Sequence, residues 1–233
     1  MVARRARRHI GRTVPITPYF GRARPLPMRS PRPRRPKTMT TIYTGASVSL
    51  DGYISGPGES GFEHLFAWYG NGDVEMQLGG MDVKLTEASA RHLTDNIERT
   101  GALIVGRKLF DYTNGWRGRH PMGVPVVVLS HSVPEGWARD GAWFVFRDTL
   151  ESAVETADGL AGDKVVGVNG GTIASQCLDA GLLDEVWVDL VPVILGAGTP
   201  YFSSLGAAPH ALEGPISITE GRGVTHLRYR VKR

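Results

Sequence analysis

The chain has 233 residues, a formal net charge of +4 and a single cysteine. The charge is uneven: residues 1–38 hold eleven Arg, one Lys, seven Pro and no acid, whereas residues 39–233 carry a net charge of −8. One cysteine excludes an internal disulfide and points to a reducing cytoplasm, and the absence of a long apolar run excludes a membrane span.

Residues 1–38 are too polar to bury a core and read as a disordered Arg/Pro-rich tail. A polybasic arm of this kind suits nucleic acid or acidic lipid, and a targeting segment is a further reading. Met39-Thr40-Thr41 runs straight into an apolar strand, so the expectation is that translation starts at Met39. The tail then falls outside the native protein, and no nucleic-acid partner is expected. Residues 39–233 are enough for one core.

Ile42 to Leu50 alternates, with Ile42, Thr44, Ala46 and Val48 on one face, and predicts the first strand. Asp51-Gly52 closes it as a turn, Asp51 bonding its own backbone. Residues 55–85 read as loop, interrupted by a short amphipathic helix over Phe62–Tyr69, whose aromatic stripe serves either a core or a lid over a flat ligand. Thr86 caps a helix reaching Arg99, with Ala90, Leu93 and Ile97 on its buried side and Glu87 at the positive end of its dipole. Ala102–Val105 is a buried strand leading into Gly106-Arg107-Lys108-Leu109. Two cations after a strand-ending glycine suit an anion, or a solvated turn.

Pro125–Leu129 is another buried strand, ending at Ser130-His131. Trp143–Phe146 is a short strand, and Asp148-Thr-Leu-Glu151 reads as a capping box for a helix that ends before Gly159. Val165–Val168 is a strand buried on both faces. It stops at Asn169-Gly170-Gly171 ahead of a short helix with Ile173 and Cys177 on its apolar side. A glycine turn at a helix N-terminus is a ready phosphate site, although glycines there also serve a tight turn alone. Val186–Val191 alternates, with Trp187, Asp189 and Val191 on one side. The last strand, His226–Val231, is expected at a sheet edge. Neither Gly167-Val-Asn-Gly170-Gly171 nor Gly196-Ala-Gly198-Thr-Pro fits the Gly-x-Gly-x-x-Gly fingerprint, and the scattered histidines show no metal-ligand spacing, so a metal is not expected.

The order of elements is that of an α/β domain. The Gly-Gly turn, Leu183-Asp184-Glu185 and the Pro192–Phe202 segment together resemble the dihydrofolate reductase-like family, in particular the reductase domain of bacterial riboflavin biosynthesis. That resemblance implies a three-layer α/β/α domain with a mixed, mostly parallel sheet. It also implies a cytoplasmic, bacterial NADPH-dependent oxidoreductase that reduces a small flat heterocycle: a pterin-, flavin- or ribosylaminopyrimidine-like ring. A homodimer is compatible with it. The implied cofactor-binding positions are Ser47 and Ile54 near the nicotinamide, and Gly106, Arg107, Lys108 and Leu109 in the turn the family writes Gly-Arg-basic-Thr. Ser130 and His131 follow on the adenosine side, His131 standing where the family has Arg. Asn169, Gly170, Gly171, Thr172 and Ile173 hold the pyrophosphate. In dihydrofolate reductases a carboxylate on the helix before the Gly-Arg turn polarises the pterin. Glu87 is the acid that the matching turn offers, and it doubles as a dipole partner. The alternative function is a nucleotide-binding protein of this fold without turnover, or a basic-arm nucleic-acid binder.

Overall fold

A computed structural model of the chain describes residues 40–233. The Arg/Pro-rich tail and the expected start at Met39 lie outside the described residues. In chain order the strands are β1 (Ile42–Ser49), β2 (Tyr53–Ser55), β3 (Val74–Leu78), β4 (Met81–Leu85), β5 (Thr100–Gly106), β6 (Val126–Leu129) and β7 (Phe144–Arg147). They continue with β8 (Val165–Val168), β9 (Glu185–Val191), β10 (Thr199–Pro200), β11 (Leu212–Gly221) and β12 (Val224–Val231). The helices are α1 (Phe62–Leu65), α2 (Glu87–Arg99), α3 (Arg107–Tyr112), α4 (Leu150–Ala161) and α5 (Thr172–Asp179).

Eight strands form one sheet in the order β11-β12-β9-β1-β8-β5-β6-β7. The pairings from β9 through β7 are parallel, while β12 joins β9 and β11 joins β12 antiparallel. The sheet is therefore mixed and mostly parallel. The two faces bury different sets. Ile42, Val48, Ile104, Val127, Val166, Val168 and Val186 pack under α4 and α5 through Ala153, Val154, Ala157, Ile173, Cys177 and Leu178. Leu103, Val105, Val126 and Val128 pack on the other face against Phe110 of α3, with Phe144 and Phe146 completing that cluster. Trp68, Leu85, Ala90 of α2, Val191 and Val224 form a third cluster toward β9 and β12. Burial pushes the Cys177 thiol up to about 12, so it acts as a small apolar side chain.

Local chemistry explains the ends of the elements. The Thr86 hydroxyl accepts from the Ser89 amide at 3.3 Å and caps α2 as expected. Elsewhere the expectation shifts. The residue that caps α4 is Thr149, which accepts from Ser152, and not Asp148; the helix then runs through Gly159 to Ala161. Phe62–Tyr69 is not one helix: the backbone leaves α geometry at Phe66, giving α1 and a 3-10 turn over Ala67–Tyr69. The expected loop over residues 55–85 contains a β3–β4 hairpin turned by Gly79 and Gly80, both at positive φ (55° and 87°), which suits a two-residue hairpin turn. Finally, β12 is not an edge strand, because β11 pairs along it and takes the edge. Among the described residues, no helix is long and apolar enough to cross a membrane.

Phe146 is wholly buried and meets Phe110 edge-on at 5.2 Å between ring centroids. Phe146→Ala is expected to cost about 3–5 kcal/mol, from lost transfer energy plus a cavity. Urea unfolding of the two proteins measures the difference.

Candidate functional site: the carboxyl edge of the sheet

Three parallel strands end side by side. Gly106 closes β5 opposite Leu129 of β6, and Ile104 lies level with Val168 of β8. Each strand then turns into a segment that the sequence singled out. Past β8, Gly171 adopts φ 79° and ψ −137°, a backbone state open to glycine. Its amide donates to the Tyr201 carbonyl at 2.8 Å, and a bridge to Phe202 fixes the turn. A Cβ at Gly170 would press on Tyr201 and on Ile54 at 2.9 and 3.0 Å, whereas a Cβ at Gly171 would meet only Thr199 at 3.7 Å. Of the two glycines, Gly171 is the less crowded, although it is itself buried. α5 starts there with Thr172 exposed and with no capping side chain bonded to its first amides.

Past β5, Gly106 allows α3 to approach α5: a Cβ on it would lie 3.3 Å from the Ile173 side chain. Arg107 Nε donates to both carboxylate oxygens of Asp111 at 2.7 and 2.8 Å. Its Nη1 donates to Ser132 Oγ at 3.1 Å and reaches Ser130 Oγ at 3.4 Å, joining the ends of β5 and β6. Ser130 is buried and its hydroxyl donates to the Ser132 carbonyl at 2.7 Å, while His131 is exposed. Lys108 is paired with Glu59.

Below this edge a cavity of about 170 Å³ opens on the α2/α3 face, lined by Tyr43, Gly45, Leu103, Val105, Leu109, His120, Met122, Gly167 and Asn169 among others. Its floor is shaped by absent side chains. A Cβ on Gly167 would sit 2.7 Å from Leu103 and 2.9 Å from the Tyr43 hydroxyl, and one on Gly45 would lie 3.2 Å from the Tyr43 ring. Both glycines let the Tyr43 ring lie down on the sheet, stacked at 3.6 Å on Trp187, with the Arg228 guanidinium 4.3 Å from the Trp187 ring centroid. Burial pushes Tyr43 up to about 12 and pushes His120 down to about 4, so both line the cavity as neutral groups near pH 7.

The structure thus brings together Gly106, Arg107, Leu109, Ser130 and Asn169 through Ile173, with Ile54 against Gly170. Ser47 sits on the cavity side of β1 and its hydroxyl accepts from Trp68 Nε1 at 3.1 Å. Glu87 is not part of this assembly. It is exposed, paired with Arg91 on its own helix, and absent from the cavity wall.

One cluster escaped the sequence. Asp189 of β9 lies beside Ser47 of β1 and opposite His226 of β12. Asp189 Oδ1 accepts from His226 Nδ1 at 2.7 Å and lies 3.1 Å from His92 Nε2 of α2. The two imidazoles stack at 3.9 Å, and His226 Nε2 meets Ser89 Oγ at 3.0 Å. Burial pushes the Asp189 carboxyl up, but the hydrogen bonds from His226 and His92 outweigh it and hold the group below the usual carboxylate range. The available signal was an acid in the middle of a strand whose same-side neighbours, Trp187 and Val191, are apolar.

The sheet order and its two helical layers define a dihydrofolate reductase-like α/β domain. Residues 40–214 match the model of the RibD C-terminal domain, and the chain belongs to that family. Among solved structures, it is similar to a putative riboflavin biosynthesis protein from Shewanella sp. PV-4, with 22% identity and a TM-score of 0.59 over 83% of this chain and 99% of that one. It is also similar to RibD of Acinetobacter baumannii (15% identity, TM-score 0.54, covering 83% of this chain and 58% of that one). A third is a diaminohydroxyphosphoribosylaminopyrimidine deaminase/5-amino-6-(5-phosphoribosylamino)uracil reductase from Thermotoga maritima (16%, 0.52, 84% and 58%). The chain thus spans just over half the length of the last two. No curated protein matches it.

Gly198 carries the prediction from this geometry. At φ 132° a Cβ on Gly198 would collide with the Ser55 carbonyl oxygen. Gly198→Ala is expected to destabilise by at least ~1–3 kcal/mol, because the backbone state disfavours an L side chain and Ser55 must shift. A lowered thermal midpoint with unchanged secondary structure is the expected readout.

Proposed function

We propose that the protein is an NADPH-dependent reductase acting on a C=N or C=O bond of a small flat heterocycle. The observation that carries this reading is the uncapped N-terminus of α5, entered through Gly171 at positive φ two residues after Asn169, which lines the cavity. Uncapped amides and the helix dipole there suit the pyrophosphate of a dinucleotide. Family membership supports the same reading, since the domain model is that of a riboflavin-pathway reductase half.

The residues present fit such a cofactor. Asn169, Gly170, Gly171, Thr172 and Ile173 would hold the pyrophosphate, Gly106 letting α3 close against it. Arg107, with Ser130, Ser132 and His131 nearby, would meet the adenosine end and supply the charge that favours a 2′-phosphate. Lys108 adds a second cation on the same turn, and Leu109 walls the cavity where a dinucleotide would enter it. Ser47 and Ile54 border the inner end, where the nicotinamide would lie against the heterocycle. The cofactor, when bound, supplies the hydride; the protein orients the two rings and excludes water. Neutral Tyr43 and His120 keep that chamber uncharged.

Two variants test the site. Gly171→Val is expected to abolish NADPH binding, since a branched side chain obstructs the turn that would hold the pyrophosphate, with ~1–3 kcal/mol of backbone strain. Arg107→Ala is expected to weaken NADPH by roughly 1.5 kcal/mol while barely changing NADH, the Asp111 pair and solvent exposure moderating the loss. Fluorescence titration of each folded variant measures both. Wild-type affinity in Gly171→Val, or equal losses for the two nucleotides in Arg107→Ala, contradicts the assignment.

A further inference from the structure

The cluster of His92, Asp189 and His226 has been given no role, and none of the three lines the cavity. It draws on three elements: His92 from α2, Asp189 from β9 and His226 from β12, the last two facing each other in register. One ligand atom from each residue, two imidazole nitrogens and a carboxylate oxygen, lies within 4.8 Å of the other two. A carboxylate so largely buried needs a compensating charge. Among the described residues its ion-pair partners are the two imidazoles alone, and the Arg228 guanidinium is turned to Asn96 instead. The Asp189 side chain keeps 21% exposure, against 6% for His92 and none for His226, so an ion and a water reach the cluster from the carboxylate side.

Hydrogen bonding inside the cluster leaves one atom in conflict. The Asn96 oxygen accepts from Arg228, so Asn96 Nδ2 turns an N–H to His92 Nε2 at 2.9 Å. The same Nε2 lies 3.1 Å from Asp189 Oδ1. A proton on Nε2 meets a donor; without one, the Nε2 lone pair meets a carboxylate. Either state keeps one unfavourable contact in a buried site. A cation between Nε2 and Oδ1 makes the second arrangement favourable, because lone pair and carboxylate then both face positive charge. His226 supplies a matching half. Its Nε2 lies 3.0 Å from Ser89 Oγ, which is 3.1 Å from the Thr86 hydroxyl. A proton on Nε2 donates to Ser89, whose own proton turns to Thr86, and Nδ1 is left with its lone pair toward Asp189. Imidazole ligands are commonly fixed this way, by the hydrogen bond of the other ring nitrogen.

We propose that His92 Nε2, the Asp189 carboxylate and His226 Nδ1 form a binding site for a zinc-type divalent cation, with a fourth position left to water on the exposed side of Asp189. Two imidazoles and a carboxylate suit Zn²⁺, whereas Ca²⁺ and Mg²⁺ take oxygen ligands. Bonds of about 2.0–2.2 Å set the ligand-to-ligand edges of a tetrahedral site at roughly 3.3–3.5 Å. The Oδ1–nitrogen separations of 2.7 and 3.1 Å are shorter, so an entering ion widens both by less than about 1 Å. The larger adjustment is angular. The imidazole planes are tilted by 17° and stacked at 3.9 Å, and their lone pairs converge only when the rings open away from each other. That opening is a rotation about χ2, a broad torsion in histidine. A bound ion ties α2 to β9 and β12 at one point. The site is independent of the reductase reading, and so is its test.

The experiment uses the full chain without a histidine tag, stripped with EDTA, and zinc and cobalt(II) as the probes. Wild type is expected to bind one equivalent of zinc by calorimetry, and cobalt(II) is expected to give the intense visible bands of a tetrahedral site. Asp189→Asn and His226→Asn, which keep polar groups of similar shape, are expected to bind at least about a hundredfold more weakly, and Ser89→Ala about tenfold more weakly. His64→Gln, at an exposed histidine outside the cluster, is expected to bind as wild type does. Zinc is expected to raise the thermal midpoint of wild type and not that of Asp189→Asn. Should the ligand variants not fold, ¹H–¹⁵N spectra of the wild-type imidazoles decide the matter. One equivalent of zinc is expected to move the His226 ring proton from Nδ1 to Nε2 and to shift the His92 Nε2 resonance. No zinc binding by wild type, equal binding by wild type and Asp189→Asn, or imidazole resonances of His92 and His226 unmoved by zinc overturns the proposal. So does loss of the bound zinc in His64→Gln, which marks an adventitious ion only.

Discussion

The turn at Gly171 is the point on which the site depends. Three demands meet there: β8 must end, α5 must start with its first amides uncapped, and the Tyr201–Phe202 segment must pack close enough to bond the turn. The Gly171 amide answers the last demand by donating to Tyr201, and its φ of 79° answers the first two. An L side chain disfavours that backbone state, so any other residue would either strain the turn or rotate α5 away from the edge. Tyr201 in turn reaches across to β9, its hydroxyl donating to the Trp187 carbonyl at 2.8 Å. The glycine turn is therefore tied to the strand that carries Asp189.

The same economy of side chains shapes the cleft. One face of the sheet is filled with β-branched residues under α4 and α5. On the other face, Gly45 and Gly167 interrupt the apolar layer at the centre of the sheet, and Tyr43 lies flat over the gap. A stacked Tyr43–Trp187 pair backed by Arg228 makes a rigid aromatic floor, since each ring is held by the next. The cavity is thus bounded by a wall of neutral groups at His120 and Met122, with the ionised Asp189 cluster farther along the same face.

Much of this was legible in the sequence because it rests on local chemistry. Strand periods, the Thr86 cap and the glycine turn before α5 each act within a few residues, and their order carried the family resemblance. What the sequence hid is long-range or edge-dependent. Leu212–Gly221 forms a strand because β12 offers it a partner; its exposed residues and the proline inside it, Pro215, give little period-2 signal on their own. Glu87 drew attention by position on its helix, yet the helix turns that residue to solvent while His92, on the inner side, meets an acid from a strand nearly a hundred residues later. No spacing rule links His92, Asp189 and His226, which become neighbours only through the pairing of β9 with β12 and the packing of α2 over them. The crowding at Gly198 is hidden for a similar reason: it comes from Ser55, far away in the chain.

The central claim is that the carboxyl edge of β5, β6 and β8 holds a dinucleotide with its pyrophosphate on the N-terminus of α5. A crystal structure of the protein grown with NADPH tests it most directly. The account expects the pyrophosphate oxygens within hydrogen-bond distance of the Thr172 and Ile173 amides and the nicotinamide near Ser47 and Ile54. Continuous density for the dinucleotide elsewhere on the surface, or an α5 N-terminus left to solvent at saturating NADPH, would contradict it.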